Sequence, residues 1–596
     1  MSRSSSRSGF AVPREGGPAR VGELDQPAVA RGRGLGAPGR TRLLPACGGR
    51  RADLRVLAAG VSFDAVARVS VVRFGLVAML VLLAAAAVAV SVAVSAWWWF
   101  LAAPVLVLAA TGGYDVTQRR HSVLRNYPVL GHLRFLLESI RPELQQYFVE
   151  RNFDGRPYDR DVRSIVYQRA KGTAAEEPFG TERDVYAEGY EFLVPSLAPV
   201  PVPDTVPRVR VGGPDCTRPY DMALLNVSAM SFGSLSSNAI LALNQGAARG
   251  RFAHDTGEGG LSEYHLRGGG DLIWEIGTGY FGCRTPDGDF DPSTFAEKAA
   301  HDAVKCVSLK LSQGAKPGMG GVLPGSKVNA EIARVREVPQ GETVVSPPYH
   351  RVFSTPRELV VFLARMRELA GGKPTGFKLC VGSRVQVLAV CKAMLAEGVT
   401  PDFIVVDGAE GGTGAAPLEF ADHLGTPLTE GLHIVHNALV GTGLRDRIRL
   451  GASGKVATGA DVVKRLIQGA DYTNAARAMM FAVGCIQSQR CHTNKCPVGV
   501  ATQDPRRGRA LDVGDKTERV RRYQEATVAS AMRIMAAMGV SDPAELSPKQ
   551  LRRRVDARTV LSYAEWYDWL EPGQLRAEPP PGWADEWAAA DPDRFA

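Results

Sequence analysis

From about residue 221 the chain repeats one rhythm, a short apolar run of strand length followed by an amphipathic helical pattern. The runs are "ALLNVSAM", "RFAHDT", "LIWEIGTG", "CVSLKLSQG", "GFKLCVG", "DFIVVDG", "IRLGASG" and "ADYTNAARAM". Between several of them lie helices, such as residues 384–397 and 459–468, the second with Thr458 as N-cap and Gly469 as stop. Eight such runs with interposed helices predict an α/β fold, a (β/α)8 TIM barrel. A doubly wound sheet shares the alternation, but its nucleotide fingerprint is missing in context. Residues 34–39 match GxGxxG without following a strand, and residues 277–282 follow a strand without opening a helix.

The rest of the chain divides by composition. Hydrophobic content of 45% and charged content of 22% are those of a globular enzyme. The formal charge of +9 is localised: residues 1–50 carry a net +6 and residues 51–73 a net +2, so the body is nearly neutral. That distribution suits a basic arm beside a membrane and not a nucleic-acid groove. Residues 1–50, rich in Ser, Gly, Pro and Arg, are expected to be a disordered arm. Between Arg73 and Asp115 lie 41 residues without a formal charge. As one helix they would span about 60 Å, twice a hydrocarbon core of about 30 Å. Residues 51–118 therefore read as a transmembrane hairpin, with spans near 74–94 and 100–112 and Trp97, Trp98 and Trp99 at the interface. Arginines flank both ends, which puts both ends, and the catalytic domain, in the cytoplasm of a multi-pass protein of the cell membrane. Residues 119–207 form a juxtamembrane and connecting segment. Its stretch "LGHLRFLLESIRPELQQYFVERN" has apolar residues at helical spacing and is expected to pack into a core, and its proline cluster at 194–207 leads into the barrel, residues 208–520. Residues 521–596 are a helical tail whose apolar face should pack on the barrel.

Chemistry concentrates where the predicted strands end, the active face of a barrel. Glycine-rich exits follow four runs: "GEGG" at 257–260, "SQGAKPGMGG" at 312–321, "AEGGTGAAP" after the sixth and "SGKVATG" after the seventh. Glycine lets backbone N–H groups approach a ligand closely. Gly411, Gly412, Thr413 and Gly414, with Gly454 and Lys455, are phosphate-cradle candidates. Lys378 lies inside the fifth strand, where a buried cation needs either a carboxylate or an anionic ligand such as a reduced flavin. Gln313 and Lys316 could bind a substrate carboxylate, and Glu258 could orient an amine or balance those cations.

Three of the nine cysteines, Cys485, Cys491 and Cys496, fall in "GCIQSQRCHTNKCPVG" with spacing C-x5-C-x4-C. A zinc finger wants paired arms, and a Cys3His zinc site through His492 would need adjacent residues on one ion. Three thiolates ending in Cys-Pro suit a 3Fe–4S cluster, with a more distant fourth ligand from Cys283, Cys306, Cys380 or Cys391 as the four-iron alternative.

The runs "KLSQGAKPG", "IVVDGAEGGTGAAP", "GTGLRDRIRL" and "CHTNKCPVGVATQDP", collinear over about 221–505, resemble the FMN-binding synthase domain of glutamate synthase. With two spans ahead of the barrel, the whole chain is similar to the stand-alone, membrane-anchored FMN-binding glutamate synthase family. The resemblance implies FMN and a 3Fe–4S cluster. It also implies amination of 2-oxoglutarate through 2-iminoglutarate to glutamate. Position by position, it makes Cys485, Cys491 and Cys496 cluster ligands and sets Lys378 against the flavin ring. Glu258, Gln313 and Lys316 would hold 2-oxoglutarate, and Met230 and Ser231 would lie against the flavin.

This chain departs from the family pattern at Met319, at Ala409 and Glu410, and at "NAARAM" (474–479), where Arg477 could compensate by contacting phosphate. Position 2 is serine where an amidotransferase domain would offer cysteine, so ammonia is expected from outside. No FAD or NAD(P)H module is recognisable, so the electron donor is expected to be a separate ferredoxin or reductase subunit. A homo-oligomer is compatible with the sequence. Two other readings stay open: a sister flavoenzyme on another amino or oxo acid, like an N-methylglutamate synthase, and a non-catalytic electron-transfer subunit.

Overall fold

Eight parallel strands close into a barrel: β1 (Leu225–Val227), β2 (His254–Asp255), β3 (Leu272–Ile276), β4 (Val304–Lys310), β5 (Thr375–Leu379), β6 (Phe403–Asp407), β7 (Arg449–Ser453) and β8 (Tyr472–Ala475). Each of the eight apolar runs supplies one strand, and β4 pairs with β5 to complete the ring. This computed structural model describes residues 62–173, 176 and 178–595, with the backbone alone for 62–73. The basic arm expected at 1–50 lies outside the described residues.

Side chains on a strand alternate between barrel interior and helix layer. The lower interior is apolar, built from Ala253, Ile273, Cys306, Phe403, Val405 and Tyr472 and plugged by Val211 and Met222 of an antiparallel hairpin. Two residues further along the same strands, the period brings Asp255, Glu275 and Asp407 inward, and Lys310 follows Cys306 by four. The upper interior is therefore charged, and that is the layer on which the site is built.

The outer helices begin where the sequence signals them. Thr458 accepts from the Asp461 amide to cap Gly459–Ile467, and Gly469, at φ +106°, ends that turn. Thr355 and Glu358 form a capping box ahead of Pro356–Leu369. Helix Val513–Ala537 buries Val520, Tyr523, Met532 and Met535 against the barrel's helix layer, as its apolar face predicts, and runs unbroken through position 520.

The described chain divides into two compact units, one ending at Phe135 and the other beginning at Leu136. In the first, helices Ser62–Ala93 and Trp99–Thr117 are joined by a short turn carrying Trp97 and Trp98. Their apolar segments, Phe74–Ala93 and Ala96–Thr117, have mean hydropathies of 2.8 and 1.4, lengths and compositions that fit a candidate membrane hairpin. In the second unit the apolar residues expected to pack at 136–149 do not: Leu137, Ile140, Leu144, Tyr147 and Phe148 are exposed. Helical spacing specifies a face, and among the described residues of the unit none covers this one.

Candidate active site

A cavity of about 390 Å³ opens at the carboxyl ends of the strands. Its wall brings together Glu258, Gln313 and Lys316, Met230 and Ser231, Lys378, the turn from Gly411 to Gly414, Arg477, and Cys485, Cys491 and Cys496. Segments up to 266 residues apart thus meet around one space. Gly454 and Lys455 stand outside this lining.

The charged floor is built from neighbouring strands. Lys310 Nζ lies 2.8 Å from Glu258 Oε1 and donates to Gln313 Oε1 at 2.9 Å. Burial alone would raise the Glu258 carboxyl, but Lys310, with Arg336 and Lys378 behind it, holds it below its usual value. Lys316 is buried, and desolvation lowers its ammonium, with Glu258 opposing and Lys310 adding to the shift. One step deeper, Lys378 Nζ contacts Glu275 Oε2. Burial works against that ammonium, yet Glu275, Asp255 and Asp407 hold it above the ordinary lysine value. Beneath it the Asp255 carboxyl is pushed up to about 8, by burial first and by Glu275 second, against the pull of Lys378. The carboxylate that a buried Lys378 demands is therefore Glu275.

Loops hold this floor in place through close backbone contacts. Gly314 donates to Asp407 Oδ2 at 2.7 Å, and a Cβ there would stand 1.7 Å from the Gly408 carbonyl oxygen, so only glycine lets the β4 exit meet the β6 exit. The long excursion between β4 and β5 returns over the mouth. Arg336 on it donates to Ser231 Oγ (3.2 Å) and Phe232 O (3.0 Å), and His350 bridges Lys310 O and the Tyr280 hydroxyl at 2.9 and 3.1 Å.

At the exits of β6 to β8 the character changes to that of an anion cradle. Arg477 donates to Glu410 O and lies over the Tyr158 ring at 5.0 Å. A Cβ on Gly412 would meet Arg477 Nε at 2.8 Å, whereas Gly414 faces open space. Partial desolvation, then Arg477, lowers Lys455, and Arg156 adds to the same shift, so three cations gather at this corner. Glu410, one of the departures from the family pattern, turns away from the cavity: its Oε2 accepts from the Leu428 amide at 3.0 Å, at the start of Leu428–Thr442.

The cysteine segment follows β8 and Arg477–Ala482. Gln487, Gln489 and Asn494 adopt left-handed conformations (φ 56°, 55° and 61°), unusual for three non-glycine residues in so short a run, and wind the loop around the cavity. The Gln487 amide donates to Cys485 Sγ at 3.4 Å, and the Tyr167 hydroxyl to Cys485 O at 2.6 Å. Lys327 donates to Ser234 O at 3.0 Å with Cys491 and Cys496 beside it, and burial pushes its ammonium down to about 8. Among the described residues, no three His, Cys, Asp or Glu side chains stand close enough to share a single metal ion.

Sequence reasoning missed Glu275, Lys310, Asp255 and Arg336. The first two carried the signal that singled out Lys378, a charge inside a strand-length apolar run ("LIWEIG", "CVSLKL"). Arg336 carried none, since only the fold brings its helix over Ser231.

Comparison with known proteins agrees with this architecture. A family described as the conserved region in glutamate synthase matches residues 220–541. The glutamate synthase large subunit-like protein YerD of Bacillus subtilis is 36% identical over 502 residues, covering 78% of this chain and 95% of that protein. The archaeal glutamate synthase (NADPH) of Methanocaldococcus jannaschii is 33% identical over 333 residues, 55% of this chain and 61% of that one. The large chain of Bacillus subtilis glutamate synthase (NADPH) is 36% identical over 287 residues, and the match spans 18% of its length. With the matched region covering the whole barrel and the cysteine segment, the chain belongs to the glutamate synthase family and is a glutamate synthase-type oxidoreductase acting on CH–NH2 donors.

Proposed function

We propose that this chain aminates 2-oxoglutarate to glutamate with externally supplied ammonia, holding FMN and a 3Fe–4S cluster in the cavity. One observation carries the reading: a single cavity is lined at once by the substrate candidates, the glycine turn with Arg477, and all three cysteines. When bound, FMN supplies a hydride donor and the cluster a one-electron relay. The residues fit both groups. The turn from Gly411 to Gly414 and Arg477 would hold the phosphate, and Met230, Ser231 and Lys378 the ring. A zinc ion gathers its ligands into one coordination sphere, whereas a three-iron cluster gives each thiolate its own iron and needs a wider triangle.

The net reaction joins 2-oxoglutarate, ammonia, two protons and an electron pair to give glutamate and water. Lys316, buried on the cavity wall, would bind one substrate carboxylate together with Gln313. Lys310 would exchange part of its bond to Glu258 for the substrate, leaving the Glu258 carboxylate free to accept a hydrogen bond from the incoming nitrogen and to orient it. Ammonia from outside agrees with the thiols beyond the cluster segment. Burial raises Cys216, Cys283 and Cys306, raises Cys380 to about 11 and Cys391 to about 12, so none of these is activated for glutamine hydrolysis. Ser2 and Cys47 lie outside the described residues. The two apolar helices would tether the protein to the cell membrane with the barrel on the cytoplasmic side, where a ferredoxin or reductase subunit delivers electrons.

Anaerobic purification of the full chain tests the cofactor set. FMN should be released on denaturation, and the oxidised protein should give the EPR signal of a 3Fe–4S cluster, lost in Cys491→Ser. Stoichiometric zinc without iron would contradict the assignment.

A further inference from the structure

The helix Gly131–Leu144 and the wider turn Gln145–Val149 that continues it are amphipathic, and from residue 136 onward they belong to the barrel unit. The polar side is fastened to the cysteine segment. Gln146 Nε2 donates to Ile486 O at 3.0 Å, and Arg490 Nη2 lies 2.9 Å from Glu143 Oε1. Among the described residues, none covers the apolar side. Leu137, Ile140, Leu144, Tyr147 and Phe148 are 40% to 82% exposed, far more than scattered surface hydrophobes require, and they form one continuous stripe.

The chemistry of this stripe and its place in the chain favour a lipid surface over a protein partner. Large aliphatic and aromatic side chains with arginine at the border are what an interfacial helix presents to a bilayer. Residues 118–135, which lead into the stripe, carry four arginines and no carboxylate, an excess that anionic headgroups favour, whereas 136–149 carry Arg141 against Glu138 and Glu143. Along the chain, only residues 118–135 separate the apolar helix ending at Thr117 from this unit.

We infer that residues 136–149 lie on the bilayer surface with their apolar stripe in the headgroup and acyl boundary, and so hold the outer side of the Cys485–Cys496 loop beside the membrane. The inference rests on the membrane-tether reading. It assigns the interaction to the barrel unit itself, so the catalytic unit is a peripheral membrane body and not a soluble domain on a leash.

The test uses the full chain in nanodiscs of phosphatidylcholine and phosphatidylglycerol that contain a diazirine-bearing acyl lipid, with labelled peptides mapped by mass spectrometry. Label is expected in the peptides of 74–117 and also in those of 136–149. In the double variant Leu137→Glu, Phe148→Glu, label at 136–149 should fall by about fivefold or more while label at 74–117 persists. Both side chains are exposed, so the variant keeps its fold. Label at 74–117 with none at 136–149 would overturn the inference and leave the tether intact. Absence of both would overturn both. Label at 136–149 alone would support the inference while removing the hairpin as the anchor. Protection of 136–149 that depends on protein concentration and not on lipid would put a second copy there instead.

Discussion

Lys310 and Lys378 are register neighbours on β4 and β5, and each ammonium meets a carboxylate of its own, Glu258 at 2.8 Å for the first and Glu275 in direct contact for the second. Like charges side by side on adjacent strands are destabilising unless each is compensated. The two pairs differ in depth. Both carboxylates line the cavity, but the Glu258 side chain is 16% exposed whereas Glu275 is almost fully buried.

Removing Lys310 should therefore damage binding as well as stability. Lys310→Met leaves Glu258 without its nearest cation and Gln313 Oε1 without its donor. Breaking one partner from a buried pair costs about 3–5 kcal/mol. We expect a lower thermal midpoint and a fall of about 100-fold in kcat/KM for the oxo acid, mostly in KM, equivalent to about 2.7 kcal/mol. Unchanged KM and midpoint would remove Lys310 from the substrate site.

Lys378 and Glu275 should move the flavin potential in opposite directions. A cation at the ring stabilises the anionic reduced form, so Lys378→Met should lower the midpoint. Glu275→Gln frees the same cation from its partner and should raise it. Each kcal/mol corresponds to about 20 mV for a two-electron couple. Spectroelectrochemical titration of the FMN-replete variants checks both signs, and shifts of the same sign would place Lys378 away from the ring.

Asp255 makes the barrel's stability depend on pH. Its folded pKa of about 8 lies above the ordinary carboxylate value near ~4. Between those values the folded protein keeps a proton that the unfolded chain has released, so its contribution to stability falls as pH rises and levels off above pH 8. The groups facing it are Glu275, Lys378 and Lys310, with Tyr472 across the interior. Asp255→Asn should remove a slope of up to about 1.4 kcal/mol per pH unit. Thermal midpoints of both proteins across that range should converge at low pH and separate at high pH, with the wild type falling.

The anion corner predicts an order of effects on cofactor retention. Arg477 lines the cavity and Lys455 does not, although the two share one field. A charge-assisted hydrogen bond contributes about 1.5–3 kcal/mol, so Arg477→Ala should weaken FMN binding by about 10- to 100-fold and Lys455→Ala by much less. Flavin retained per chain after gel filtration measures the order, and equal losses would contradict it.

Much of this was legible in the sequence because alternation and glycine-rich strand exits are local signals. All eight runs became strands, and the loops after β2, β4 and β6 met at one face. Lys378 stood out as a charge in an apolar run. Its partner did not, because Glu275 lies 103 residues earlier and only barrel closure sets the two together. The same limit hid the Lys310–Lys378 neighbourhood, a matter of register between strands. Periodicity also misled at 136–149, where it marks an apolar face correctly but says nothing about what covers it.

The most direct measurement is a single turnover of the full chain, loaded with FMN and reduced anaerobically, then mixed with 2-oxoglutarate and isotopically labelled ammonium. Labelled glutamate is expected, one molecule for each stored electron pair, with reoxidation only when both substrates are present and a severe loss in Lys316→Met. A reduced, FMN-replete protein that both substrates leave reduced, with no labelled glutamate formed, would contradict it.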